Sequence, residues 1–431
     1  MANLTAARFQ MAYSLGFHMI FAALGIGLPL MMLIAEGLYL RSGDAKYMRL
    51  ARTWAKATGL LFAVGAVSGT ALSFELGLLW PRFMGFAGST LGPAFTLEGY
   101  AFFLEAIFLG LYLYGWERLK PAHHWLTGLV VAITSCLSGI LVLATDAWMQ
   151  NPLGADVLMK NPEAMDAVGA LFRNAAWPIM TIHSTFSAYA TTGFAVAGVY
   201  AWSGLKGKMD EMRRSALAIA LFVGTVSALA MPITGDFAAK SVAERQPIKL
   251  AAMEAHFETM SGAPLRLGGW PDEETGTVSF DLELPYGLSF LSYGDFGAEV
   301  KGLNDFPRDL WPNVKVTHIS FQVMVAAGMA MLALSAAYYF TVLRNRKNPK
   351  PLPRLLLKML VPGGFLGIIA LEAGWIVTEV GRQPWIIYGV MKVADAVTPA
   401  PGLVTTLSWF VALYAALAVV LVFLLNRLKH A

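Results

Sequence analysis

Carboxylates within apolar sequence are the residues of this chain whose type and spacing point most clearly to chemistry. The segment 371–385, LEAGWIVTEVGRQPW, holds Glu372 and Glu379 seven residues apart, so both lie on one face of a helix. Arg382 follows them, and Pro384 prevents a further helical turn. A carboxylate in lipid is costly unless it meets a partner, a metal or water. This face is therefore predicted to bind another group.

A second pair of carboxylates has the same spacing. Glu98 and Glu105, in TLEGYAFFLEAIFLGLYLYGW, also lie on one helix face. Two interpretations are open: a carboxyl pair that is hydrogen-bonded between helices, or a proton relay, which stacked carboxyls in a membrane commonly mark. Glu75 and Asp146 are further candidates for such roles.

The composition indicates an integral membrane protein, because 57% of the 431 residues are hydrophobic and only 14% are charged. The net charge of +4 does not indicate a nucleic-acid partner, since the basic residues follow a membrane pattern. The single cysteine, Cys136, excludes a disulfide or a cysteine-held cluster within the chain and is predicted to be a small core residue. No cleavable signal peptide is expected, because the first apolar segment is long and no small-residue cleavage site follows it.

Nine apolar segments are long enough to span a bilayer: 12–38, 56–79, 94–116, 125–147, 177–203, 215–235, 317–343, 357–381 and 402–426. Basic stretches occupy every second gap and the C-terminus, and they hold 19 of the 32 Lys and Arg residues: 41–56, 118–120, 206–214, 344–358 and 427–429. This distribution predicts an outside N-terminus and a cytoplasmic C-terminus. The fold class is therefore an all-α integral membrane protein, a single membrane domain over 1–431.

The long gap at 236–316 is predicted to be an extracytoplasmic loop that covers the bundle. It begins with ITGDFAAKSVAERQPIKLAAMEAHFET, which is expected to be partly helical, and continues with a Gly/Pro/Asp-rich part in which no strong strand pairing is expected. Lys249 and Glu254 are five residues apart, a poor spacing for a helical ion pair, although both could face a polar ligand. Chemistry alone favours a solvated surface for this pair.

Four residues able to bind iron are predicted to lie at similar depth in the outer part of the membrane. His18 and His183 are the two histidines inside predicted spans, and Met324 and Glu379 lie on two further helices. Each alone is typical of a packed core residue. Together they indicate haem, because His and Met are haem axial ligands.

Several motifs resemble subunit I of the cytochrome bd-type quinol oxidases across essentially the whole chain. These are GRQPW after Trp-x-x-x-Glu, the EGxxFFxE-like pattern of the third span, the histidine of the fifth span and the QPIKLAAMEA loop. The resemblance implies an enzyme of the bacterial cytoplasmic (inner) membrane, a quinol:oxygen oxidoreductase. It implies that quinol is oxidised at the outer face and O2 is reduced to water, with a proton gradient formed without pumping.

The resemblance also implies a set of haem ligands. His183 and Met324 match the two axial ligands of a low-spin haem b. His18 and Glu379 match the ligands of the other two haems, a high-spin haem b and haem d, without an assignment of either ligand to one haem.

Other site residues carry over from the same resemblance. Lys249 and Glu254 match residues implicated in quinol binding and oxidation, which reverses the surface interpretation. Trp375 matches an aromatic that assists electron transfer, and Arg382 is expected to balance haem propionates or the Glu379 charge. Glu98 and Glu105 match acids near the haem pair and its proton supply. The implied partners are a second membrane subunit (subunit II), a small single-span subunit, quinol, O2 and the lipid bilayer.

Two features depart from the best-known relatives. Gln322, in FQVM, stands where those relatives carry an arginine two residues before the methionine ligand, and the outer loop lacks a long insertion. Losing that cation is expected to alter the potential of the low-spin haem. Both features are similar to the cyanide-insensitive branch, whose members can lack a clear haem d signal. The third haem is therefore expected to be haem d or a further haem b.

Two other classes stay open from the residues themselves. A dihaem cytochrome b subunit of a dehydrogenase or reductase would more typically show two His–His pairs, whereas two intramembrane histidines are predicted here. A proton-coupled transporter would use the intramembrane carboxylates and need no haem. The colour of the purified protein separates these classes.

Overall fold

Long helices make up most of the computed structural model, which describes residues 2–348 and 350–428. The predicted basic stretch at the C-terminus ends at Lys429, which lies outside these residues. In chain order the helices are α1 (Ala2–Ser42), α2 (Ala45–Leu79), α3 (Pro81–Tyr114), α4 (Pro121–Gln150), α5 (Ala155–Lys160), α6 (Ala167–Phe172), α7 (Ala176–Leu205), α8 (Glu211–Arg245), α9 (Pro247–Met253), α10 (Gly287–Tyr293), α11 (Val314–Arg344), α12 (Arg354–Gly363), α13 (Leu366–Val380), α14 (Val393–Ala396) and α15 (Leu403–Leu428). Short 3-10 turns lie at Pro162–Ala164, Leu303–Asp305 and Arg308–Leu310.

Eight helical segments in the described ranges are long and apolar enough to cross a membrane: α1, α2, α3, α4, α8, α11, the broken pair α12–α13, and α15. The all-α membrane fold predicted from the sequence is therefore confirmed. The predicted fifth span coincides with α7, whose 30 residues suffice in length but include many Ser and Thr. The count of nine spans and the orientation of the termini stay predictions.

Helix α7 packs closely against its neighbour α8. A Cβ added at Gly193 would lie 2.5 Å from the backbone nitrogen of Gly224, so the two backbones are nearly in contact. Small residues allow such close approach between membrane helices, where packing rather than water exclusion drives association. The main core, which includes Met31, Phe194 and Leu360, surrounds these helices and fixes the positions of the site residues.

The segment between α8 and α11 is shorter than the predicted loop because α8 continues to Arg245. Its last turns are rich in alanine and carry an i,i+4 ion pair, in which Lys240 Nζ lies 2.7 Å from Asp236 Oδ2. Pro247 then begins the short helix α9, which agrees with the predicted partly helical stretch. The segment that connects the two long helices is therefore 246–313.

The expectation of no strong strand pairing in this segment is wrong. The strands are β1 (Met260–Ser261), β2 (Leu265–Asp272), β3 (Thr277–Leu284) and β4 (Glu299–Val300), followed after α13 by β5 (Trp385–Ile387) and β6 (Met391–Lys392). Strands β2 and β3 form an antiparallel hairpin, and β1 pairs with β4. Strand β3, TVSFDLEL, alternates polar and apolar residues, and this signal could have revealed the hairpin; β2, LRLGGWPD, contains two glycines and a proline and does not alternate regularly.

Candidate functional site

The two histidines predicted inside spans are held by the same kind of contact. His18 Nδ1 lies 3.0 Å from the Ser68 hydroxyl of α2, and His183 Nδ1 lies 3.0 Å from the Thr234 hydroxyl of α8. Each hydroxyl also donates to a backbone carbonyl of its own helix, at 3.1 Å in both cases. The hydroxyl proton is thereby used, so the hydroxyl oxygen accepts from Nδ1–H of the histidine.

This arrangement fixes the tautomer of both rings. With the proton on Nδ1, the lone pair is on Nε2, which is the state in which an imidazole binds a metal. Met324 is also held at a helix interface, because a Cβ added at Gly374 of α13 would lie 3.1 Å from its sulfur atom. A Cβ at Gly69 of α2 would lie 2.9 Å from Cε1 of His18. These side chains fit the ligand set of a haem protein.

Glu372, the inner carboxylate of the α13 pair, faces helix α1. Its Oε2 lies 3.1 Å from where a Cβ on Gly16 would be, two residues before His18. Its Oε1 is buried and has no hydrogen-bond partner in the described part of the chain. The Glu372 carboxylate therefore packs against α1 at Gly16, and one of its oxygens is available for a further donor.

Glu379, the outer carboxylate of that pair, belongs to a network of charges. Arg382 Nη2 donates to Glu379 at 2.6 Å, and Arg382 Nη1 donates to Asp146 of α4 at 2.9 Å. The Arg382 side chain is only 2% exposed, whereas that of Glu379 is 31% exposed. The predicted pairing of Arg382 with Glu379 is present, and the pair binds the end of α13 to the end of α4.

Lys249 connects helix α9 to the same network. Its ammonium donates to Gln150 Oε1 at 3.2 Å and to the Thr378 carbonyl at 3.1 Å. Burial lowers the pKa of Lys249 to about 8, and the nearby Arg382 guanidinium acts in the same direction. Gln246 also donates to the carbonyl of Gln150, at 2.6 Å. Gln150 therefore joins the loop to α4.

Glu254 terminates helix α9 and is buried without an ion pair among the described residues. Its side-chain Oε2 has no hydrogen-bond partner there, and the residue is 4% exposed, as is Lys249. Burial raises the pKa of the Glu254 carboxyl to about 8, although Arg266 acts in the opposite direction. The interpretation of this pair as a solvated surface is wrong, because α9 packs against α8 and α11 and both side chains are buried.

The backbone on either side of Glu254 is fixed by residues that the sequence did not single out. His318 of α11 contacts the Met253 carbonyl through Nδ1 at 2.8 Å and the Gly268 carbonyl through Nε2 at 3.0 Å. On the other side, Ala255 has a φ of +47°, a left-handed conformation that is strained for alanine. Glu254 is therefore held in one place by α11 and the hairpin.

Gln322 has a clear structural role at the position where the best-known relatives carry arginine. Its amide nitrogen donates to the Arg266 carbonyl at 3.0 Å, and its amide oxygen accepts from the Gly268 N–H at 3.0 Å. The side chain thus pairs with strand β2 as a neighbouring strand would. It attaches the hairpin to α11 two residues before Met324.

The remaining predicted site residues lie on the bundle helices. The Ser138 hydroxyl of α4 donates to Glu98 at 3.0 Å, while Glu105 is buried on the same face of α3. Glu75 accepts from Gln10 at 2.8 Å. Trp375 packs in an apolar cluster formed by α1, α7 and α13.

The geometry as a whole is that of a multi-pass membrane protein whose candidate ligands lie at helix interfaces, with a buried polar loop joined to the end of α13. Residues 6–431 match the profile of the family described as "Cytochrome bd terminal oxidase subunit I". The chain belongs to this family.

Individual relatives agree over nearly their full length. A Bacillus subtilis (strain 168) protein with the provisional name cytochrome bd menaquinol oxidase subunit I is 37% identical, with 100% of this chain and 98% of the relative covered. Cytochrome bd ubiquinol oxidase subunit 1 of the same organism is 34% identical, with 99% and 93% covered. The solved structure of bd oxidase from Geobacillus thermodenitrificans has a TM-score of 0.92 at 37% identity, with 99% and 98% covered.

Membership of this family rules out the two alternative classes, a dihaem cytochrome b subunit and a proton-coupled transporter. The chain is a subunit of a respiratory terminal oxidase, a multi-pass protein of the bacterial cytoplasmic membrane. Members of this family carry haem and act in complexes with a subunit II.

Proposed function

We propose that this chain is the haem-bearing catalytic subunit that oxidises quinol at the 246–313 segment and reduces O2 to water. The observation that carries the proposal is the position of Lys249. Its ammonium donates to the Thr378 carbonyl, beside Glu379, and so joins the loop to the end of a ligand-bearing helix. This hydrogen bond would connect the quinol-oxidising segment directly to a helix that bears a haem ligand.

Four side chains would hold the haems. His183 and Met324 would hold the low-spin haem b, and the free Nε2 of His183 supports this role. His18 and Glu379 would hold the other two groups, a high-spin haem b and either haem d or a further haem b. Haem, when bound, supplies one-electron transfer and the binding of oxygen.

Quinol oxidation would use the buried pair of α9. The Glu254 carboxylate would accept the proton of a quinol hydroxyl, since a general base works best when its pKa is near the working pH. The Lys249 ammonium would donate a hydrogen bond to a quinol oxygen and orient the ring. His318 and Gln322 would keep the hairpin closed over this pair and exclude water.

The charge pattern of the sequence predicts the side of the membrane on which each step would take place. Basic residues favour a cytoplasmic C-terminus, so the 246–313 segment would lie outside and release quinol protons there. Protons for water would come from the cytoplasm, with Glu105 and Glu98 on their last leg. Charge would then separate across the membrane without a pump. Trp375 of α13, packed against α1 and α7, would lie beside the electron path.

The ligand roles are tested by changing one ligand at a time in the purified complex. For His183→Ala or Met324→Leu, we expect loss of the low-spin haem signal in reduced-minus-oxidised spectra and loss of quinol-dependent O2 consumption. The matched control is His123→Ala, an exposed histidine at the start of α4, which should leave both unchanged. A normal low-spin spectrum in either ligand variant would contradict the assignment. Pyridine haemochrome analysis of the wild-type complex decides between haem d and a further haem b.

A further inference from the structure

A buried polar cluster lies at the far end of the bundle from the haem-ligand candidates. His124 of α4 places Nδ1 2.7 Å from Glu36 Oε1 of α1 and Nε2 2.9 Å from the Tyr112 carbonyl of α3. Glu36 and His124 are 2% exposed and Tyr112 is fully buried. Three helices therefore bring three proton-carrying side chains together where none has a role in the site above.

The hydrogen bonds leave one mobile proton in this cluster. The Tyr112 carbonyl can only accept, so Nε2 of His124 carries a proton in every state of the pair. A second proton lies in the short hydrogen bond between His124 Nδ1 and Glu36 Oε1. That proton can reside on the histidine or on the carboxyl without any heavy atom moving. The pair is built to hold a proton and to shift it.

Two further atoms of the cluster are unused. Glu36 Oε2 and the Tyr112 hydroxyl are buried with no hydrogen-bond partner in the part of the chain that the structure describes. The two groups are close enough to interact electrostatically. Unpartnered polar atoms are rare in native interiors, and a functional role or a bound water commonly explains them.

The cluster aligns with the carboxylates of α3. Tyr112, Glu105 and Glu98 are each seven residues apart, so they share one helix face, with about 10 Å between successive Cα atoms. Contacts of α3 with α4 at Glu98–Ser138 and at Tyr112–His124 keep one antiparallel register. Between them, Gly128 of α4 lets the Tyr112 ring pack directly against the helix, because a Cβ there would lie 2.6 Å from the ring.

The cluster is separated from the surface by an aromatic ring. Trp116 packs against His124 with ring centroids 4.0 Å apart and the ring planes tilted by 37°, and the Arg52 guanidinium lies 5.1 Å from the Trp116 ring. Beyond it, Arg52 and the exposed Glu117 approach to 3.9 Å. These are the charged groups that face the cluster from its solvent side. A small movement of Trp116 would admit water to His124.

We propose that Glu36, His124 and Tyr112 form the inner station that passes protons from the cytoplasm towards Glu105 and Glu98. The proposal rests on the proposed function, in which O2, four electrons and four protons give two waters. A proton taken up by the His124–Glu36 pair leaves from the Glu36 carboxyl to the Tyr112 oxygen. Tyr112 releases its own hydroxyl proton onward, so it stays neutral and only protons move. Water bridges the gap to Glu105.

The decisive variant is Glu36→Gln, compared with Trp125→Phe. Trp125 also joins α4 to α1, through an indole N–H that donates to the Leu33 carbonyl at 3.2 Å, but it cannot pass a proton. Glu36→Gln keeps an inter-helix hydrogen bond, because the amide can still pair with Nδ1 of His124, but it cannot pass a proton. Trp125→Phe loses its inter-helix hydrogen bond outright, so a purely structural role predicts at least as large an effect for Trp125→Phe as for Glu36→Gln. Tyr112→Phe keeps the ring that contacts His124 and removes only the hydroxyl.

The measurements use the full complex in proteoliposomes: haem reduction by quinol without oxygen, and proton uptake after an oxygen pulse. For Glu36→Gln we expect normal haem spectra and normal haem reduction, with proton uptake roughly 100-fold slower. For Tyr112→Phe we expect about tenfold slower uptake, and for Trp125→Phe an unchanged rate. Wild-type uptake in both Glu36→Gln and Tyr112→Phe, or an equal loss in Trp125→Phe, would overturn the proposal. A wild-type complex whose haems are not reduced by quinol would instead overturn the proposed function.

Discussion

Two carboxylates at the same end of the molecule, the half-buried Glu379 and the buried Glu254, meet opposite surroundings. Glu379 is paired with Arg382, which also binds Asp146, so charges of both signs meet within hydrogen-bonding distance. Glu254 has no ion pair in the described residues, and one of its oxygens is unpartnered. We call these the balanced region and the unbalanced region.

This difference in charge pairing gives the two regions different roles, one structural and one in proton exchange. A carboxylate beside a fixed guanidinium is held in an ion pair, and removing one partner of a buried ion pair is strongly destabilising. A buried carboxylate without a counter-ion favours its neutral form, so it gains and loses a proton near neutral pH. The balanced region therefore suits a fixed ligand and a helix anchor, and the unbalanced region suits a base. Lys249 lies between the two regions. Its ammonium donates to two neutral acceptors, Gln150 Oε1 and the Thr378 carbonyl, and so connects α9 to the balanced region.

The largest expected effect comes from breaking the balanced region with Arg382→Leu. The buried Asp146 and the half-buried Glu379 would both be left without their cation, at a cost of about 3–5 kcal/mol in the free energy of unfolding. We expect little assembled complex and a lower thermal unfolding temperature for what remains. Arg382→Lys keeps the charge but not the two-pronged geometry, so an intermediate loss is expected. Equal stability of Arg382→Leu and the wild type would contradict the anchoring role.

The second effect concerns the unbalanced region, with Glu254→Gln. Removal of a general base is expected to lower quinol turnover roughly 100- to 1000-fold, while haem spectra stay normal. The control is Glu258→Gln, an exposed residue four positions further on, which should keep wild-type turnover. Unchanged turnover in Glu254→Gln would refute the proposed role of the loop.

The pH profile of turnover sharpens the same point. Burial raises the pKa of Glu254 to about 8, so the basic form grows as the pH rises through that value. Burial lowers the pKa of Lys249 to about 8, so its ammonium is lost over the same range. A bell-shaped profile with its optimum near pH 8 is expected for the wild type. In Glu254→Gln the rising limb should disappear and the falling limb should stay.

The sequence was sufficient for features that depend on local composition or on regular spacing. Helical period placed Glu98 with Glu105 and Glu372 with Glu379 on shared faces, and hydropathy located the membrane helices. The fold class and the family follow from such signals. These are properties of single helices, which the sequence encodes directly.

Contacts between distant segments were beyond the sequence. Lys249 reaches the Thr378 carbonyl across 129 positions, and the acceptor is a backbone atom that leaves no trace in residue type. The burial of Glu254 depends on a hairpin whose pairing is stabilised by docking on α11. Gln150, in the ordinary sequence WMQNP, gave no signal beyond its spacing of four from Asp146.

The smallest expected effect loosens the unbalanced region without changing any charge, by Gln322→Leu. Two hydrogen bonds to β2 would be lost, worth about 1 kcal/mol each, so the hairpin should open more often while haem binding persists. We expect amide hydrogen exchange at Gly268 to accelerate roughly tenfold and the KM for quinol to rise a few-fold. Val323→Ala, at the exposed neighbouring position of α11, is the matched control. Unaltered exchange at Gly268 in Gln322→Leu would mean that His318 alone holds the hairpin, and that Glu254 owes its enclosure to α11 through a single side chain.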